Sequence, residues 1–82
     1  MPQEVYVVLK TTRAEGEIYT ELSVYDTLSK AFNEKKRLIV RERAIVSDKE
    51  AYVEEEEDFT YYAYIDNQDY SVTIEIYLRE VE

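Results

Sequence analysis

The sequence predicts an α+β fold of order ββαββ: one four-stranded antiparallel sheet with a single amphipathic helix packed on one face. Two observations predict it. Apolar residues alternate with a period of two in four runs that fall into two hairpin-like pairs, and between the pairs the period changes to that of a helix. A third observation concerns size and composition. The chain has 82 residues, 45% of them hydrophobic, with one Gly and one Pro, which suits one ordered domain over residues 1–82 with one modest core.

The first strand is read over about residues 4–12, where Val5, Val7, Leu9 and Thr11 alternate with Tyr6, Val8 and Lys10. The only glycine follows in Glu15-Gly16, and Ile18, Thr20, Leu22 and Val24 alternate again in a second strand over about 17–25. A loop from Arg13 to Gly16 sets Thr12 opposite Glu17 and places Leu9, Val7 and Val5 across from Thr20, Leu22 and Val24. That assigns this set to the core face.

A helix is read over about 27–46, with Asp26 or Thr27 as N-cap and a stripe of Leu28, Ala31, Phe32, Leu38, Ile39, Ile45 and Val46. Lys35 and Glu42 interrupt that stripe. Residues 47–58 read as an acidic connector, because the consecutive carboxylates Glu54 to Asp58 repel one another. Ser47 and Glu50 have the spacing of a capping box, which leaves a short helix through Val53 open as the alternative. Third and fourth strands follow over about 59–66 and 70–81. A two-residue Asn67-Gln68 turn sets Ala63 opposite Val72, Tyr61 opposite Ile74 and Phe59 opposite Ile76. The terminal strands are expected to pair at the centre of the sheet.

The composition disfavours most catalytic chemistry. There is no His and no Cys, so the commonest general base and metal ligand and the best nucleophile are missing, as is any disulfide. One glycine cannot build a phosphate-binding loop, and Glu54 to Asp58 lack the alternation and turn glycine of a calcium loop. The expectation is a non-enzymatic protein with no cofactor and no metal. Without a cysteine, a leader or an apolar stretch of about 20 residues, a soluble cytoplasmic setting with no membrane contact is expected.

Charge is sorted along the chain. Residues 1–25 sum to −2, 26–49 to +3 and 50–82 to −10, giving the net −9. The basic stretch from Lys30 to Arg43 does not make a nucleic-acid surface on a chain of that charge, since the whole molecule repels a phosphate backbone. The acidic third instead offers Glu54, Glu55, Glu56, Glu57 and Asp58 with Asp66 and Asp69 as an anionic surface for a basic protein partner. Nine residues are Tyr. Of these Tyr6, Tyr19, Tyr62, Tyr64 and Tyr77 are expected on the sheet face that the helix leaves open, where they could bury one another in a homodimer.

The opening VYVVLKTT and the segment SVYDTLSKAF, with Val24-Tyr25-Asp26-Thr27 ending a strand and Lys30-Ala31 opening a helix, resemble a pattern that recurs in small uncharacterised acidic proteins of bacteriophages and mobile elements. What the resemblance implies is a setting in which short acidic proteins inhibit host factors, some by mimicking nucleic-acid charge. The leading expectation is therefore an acidic protein-binding module, a phage-type inhibitor of a host nucleic-acid-handling protein. The alternative is a structural homo-oligomer that buries its Tyr-rich sheet face.

Overall fold

A computed structural model describes residues 3–46, 52–65 and 69–81. The class is α+β, but the sheet has five strands, not four. β1 (Gln3–Ala14), β2 (Glu17–Tyr25), α1 (Leu28–Val46), β3 (Tyr52–Glu56), β4 (Thr60–Ile65) and β5 (Tyr70–Val81) follow in that order. All pairings are antiparallel and the spatial order is β2-β1-β5-β4-β3. β1 and β5, twelve residues each, form the centre.

The extra strand corrects the expected acidic connector and the ββαββ order. Tyr52 to Glu56 pair with β4 as an edge strand, Glu54 opposite Ala63 and Glu56 opposite Tyr61. Like charges adjacent in sequence point to opposite faces of a strand, so pleating separates the carboxylates that would crowd one another in a helix. Cations from α1 then neutralise Glu54 and Glu56. The expected capping box at residues 47–50 and the Asn67-Gln68 turn lie outside the described residues.

The first turn is tighter than expected. Glu15 and Gly16 alone form it, with φ of 53° and 78°, the two positive values that a type I′ turn needs to match the twist of its strands. Ala14 therefore faces Glu17, Leu9 faces Leu22 and Val7 faces Val24. The register differs by two residues from the expected one, which leaves the facing sets together. Asp69 secures the turn: its side chain accepts from the Gly16 N–H at 2.7 Å and its carbonyl from the Glu15 N–H at 3.1 Å. The second hairpin pairs as expected, Tyr61 with Ile74 and Ala63 with Val72.

Thr27 caps α1: its Oγ1 accepts from the Lys30 N–H at 3.2 Å, satisfying one of the free donors of the first turn. Its buried face is Ala31, Lys35, Leu38, Ile39, Glu42 and Val46. Ile45, expected in the stripe, is exposed. The core joins this face to Val8 of β1, Val72, Ile74 and Ile76 of β5, and Tyr61 and Ala63 of β4. The molecule measures 49 × 23 × 16 Å, and its thinnest dimension has room for one sheet and one helix. Among the described residues the opposite sheet face carries no second layer.

Which face of the first hairpin the helix covers is the main departure from expectation. Val5, Val7 and Leu9 with Leu22 and Val24 are the more apolar set, yet Tyr6, Val8, Lys10 and Thr12 turn toward α1. The strand register requires this. β5 lies beside β1 with Val8 opposite Ile76 and Lys10 opposite Ile74, so the apolar residues of β5 share a face with the even-numbered residues of β1. Glu42 supplies the reason. It is 1% exposed, and a buried carboxylate needs a cation, which Lys10 provides at 3.4 Å. With the hairpin reversed, Lys10 would lie in solvent and Glu42 would be buried without a counter-charge.

Candidate functional site

The uncovered face is built by strand alternation. Tyr6 opposite Tyr25 and Lys10 opposite Glu21 fall under or beside the helix, so Val5, Val7, Leu9, Leu22, Val24 and Ile18 fall on the other side. Tyr77, Tyr62, Tyr64 and Val53 continue the same face across β5, β4 and β3. Leu22 is 63% exposed, Ile18 58% and Val24 54%. Val5, Val7 and Leu9 lie half-buried beside them on β1. The result is a face with an aliphatic cluster on the β2–β1 side and tyrosines on the β5–β4 side, with Thr11, Thr20, Ser71, Thr73 and Glu75 interspersed. Tyr62 and Tyr64 have ring centroids 5.6 Å apart, and the Arg79 guanidinium lies 5.5 Å from the centre of the Tyr77 ring.

This corrects the expected tyrosine face. Tyr62, Tyr64 and Tyr77 are on it, whereas Tyr6 and Tyr19 are on the helix side. Tyr19 donates to Glu17, and Tyr25, on the same side, donates to Glu34 of α1. The aliphatic residues of the first hairpin take the places that Tyr6 and Tyr19 were expected to fill.

The carboxylates expected to form one anionic surface are divided. Glu54 is held on the helix side, accepting from Arg43 at 2.7 and 3.0 Å, from Tyr61 at 2.6 Å and from Tyr52 at 3.3 Å. The Arg43 guanidinium and the Tyr61 hydroxyl together lower its carboxyl to about 2. Burial first, and then the hydrogen bonds to Glu54 and Tyr52, raise the Tyr61 hydroxyl well above its ordinary value. Glu56 lies 3.4 Å from the buried ammonium of Lys35, which also donates to the carbonyls of Glu57 and Asp58 at 2.5 and 3.2 Å. The Glu57 and Asp58 side chains are exposed in the β3–β4 turn, beside a cleft lined by Phe32, Lys35 and Lys36. Glu55 points to the uncovered face, Asp69 is tied to the Gly16 turn, and Asp66 lies outside the described residues.

Other basic residues of α1 are engaged in the same way, though Lys36 has no such partner among the described residues. Lys30 pairs with Asp26, Arg37 with Glu34 and Arg41 with Glu21. Inside, the Tyr70 hydroxyl donates to Glu42 beside Lys10. Among the described residues no buried side-chain nitrogen or oxygen lacks a partner, and no three or more acidic residues converge on a point that could hold a metal ion. The buried polar groups of the helix side thus satisfy one another, while Lys36, Glu57 and Asp58 remain exposed to solvent.

No family model matches the chain, and no curated protein or solved structure matches it. Among the described residues no helix is long and apolar enough to cross a membrane.

Proposed function

We propose that the chain is a non-enzymatic protein-binding module whose recognition surface is the uncovered sheet face. One observation carries the reading: the most apolar set of the first hairpin is outside the core, where Leu22, Ile18 and Val24 are each more than half exposed. Apolar side chains clustered in the open on one sheet face of a small chain mark a contact site, because leaving them in water is unfavourable. The carboxylate run supports docking less directly, since Glu54, Glu56 and Asp69 are engaged internally.

Affinity capture with the full chain and with Leu22→Lys as baits, from cells that also express an untagged copy, tests the reading. Proteins held by the first and lost from the second are the expected result. Identical captured sets would overturn it.

A further inference from the structure

We propose that the partner is a second copy of this chain, and that two copies pack by their uncovered faces about a two-fold axis that lays the β1–β2 hairpin of one copy on that of the other. The inference rests on the protein-binding reading above and names its occupant.

Charge is the first reason. On a chain of net charge −9, the described part of the uncovered face carries two arginines, Arg13 and Arg79, and two glutamates, Glu55 and Glu75. It is electrically balanced. Among the described residues the excess of negative charge therefore lies on the helix side and the rims. Face-to-face packing turns both helix sides outward, across two molecules each 16 Å thick, well beyond the Debye length of about 8 Å at physiological salt. Packing through any acidic surface would instead bring like charges together. A basic partner would be drawn to the helix side, which leaves the balanced face for a surface as flat and as neutral as itself.

Area is the second reason. Five strands spaced about 4.8 Å apart, from five to twelve residues long, span roughly 700 Å² in plan at about 3.3 Å per residue. A standard interface covers about 800 Å² per partner. One face of this sheet is thus the size a stable dimer needs. Two such faces meet about 10 Å apart as a β-sandwich with a helix on each outer side, and a two-fold axis lets the aliphatic half of one copy lie on that of the other.

Sedimentation equilibrium of the full chain tests this. The wild type is expected at twice 9.8 kDa, with a Kd of about 10 µM or tighter for an interface of this size. Because the axis doubles every substitution, Leu22→Lys should weaken association at least about a hundredfold. Val40→Lys removes an equally exposed apolar residue from the outer side of α1 and should leave association unchanged. Thr20→Lys introduces the same charge on the same face at an already polar site and serves if Leu22→Lys misfolds by circular dichroism. A wild type that stays monomeric, or a dimer indifferent to both face substitutions, overturns the proposal. If the monomer still loses another protein on Leu22→Lys, the dimer falls and the protein-binding reading stands. If it loses nothing, both fall.

Discussion

Removing the cation from the buried pair should lower stability by about 3 kcal/mol, and removing both charges should largely restore it. In Lys10→Met, Glu42 keeps the Tyr70 hydroxyl but loses its counter-charge while 1% exposed. Breaking a buried pair costs about 3–5 kcal/mol. The surviving Tyr70 bond places the cost near the lower end, about 3 kcal/mol. For 82 residues the total stability is about 4–12 kcal/mol. An unfolding entropy of about 0.17 kcal/mol/K for this length turns that cost into a fall in Tm of roughly 15–20 °C. Glu42→Leu strands Lys10 and should behave alike. The double variant buries two apolar side chains under the helix and should lie within about 2 kcal/mol of wild type, a coupling of at least about 4 kcal/mol. Urea unfolding of the four proteins measures the cycle. Additivity to within about 0.5 kcal/mol would refute the claim that Glu42 fixes which hairpin face lies inside.

Three further outcomes follow from the same geometry. The Glu54 carboxyl is lower in the folded chain than its ordinary 4.5, so its stabilising contribution is complete above pH 4.5 and is lost as pH falls toward about 2; with the side chain one-third exposed, solvent screening reduces it to on the order of 1 kcal/mol. Glu54→Gln should lose that amount at neutral pH and flatten acid unfolding in this window, read by circular dichroism against pH. Glu15 has φ of 53°, so Glu15→Asn should raise stability by about 0.5–1 kcal/mol, and Gly16→Ala, whose Cβ meets nothing within 4 Å, should lower it by about 1 kcal/mol through backbone strain alone; thermal unfolding checks both. Lys35→Met removes the ammonium held by the Glu57 and Asp58 carbonyls and should speed amide exchange around the β3–β4 turn more than at the β1–β5 centre.

Strand alternation, the helix, its Thr27 cap and the second hairpin register were legible because each is a local pattern with one period. The fifth strand was not. Glu54 to Glu57 look like solvated charge until Arg43 and Lys35 are placed opposite them, and that pairing is tertiary. The inverted first hairpin had a signal. Lys35 and Glu42 interrupt the helix stripe, and a polar residue in a buried stripe requires a partner on the facing sheet. Within the β1 alternation Lys10 is the cation positioned to meet one, which puts Val5, Val7 and Leu9 outside. The apolar alternation alone points the other way, because it records that a face is buried somewhere and not whether a helix or another molecule buries it.

Solvent accessibility of methyl groups tests the role of the uncovered face most directly. With a soluble paramagnetic agent, the NMR signals of Ile18, Leu22 and Val24 are compared with that of Val40, which is 64% exposed on the helix side. The face methyls should be protected relative to Val40 at high protein concentration and should broaden as the protein is diluted. Face methyls as accessible as Val40 at every concentration, and equally so with captured proteins present, would contradict the assignment of this face as a binding surface.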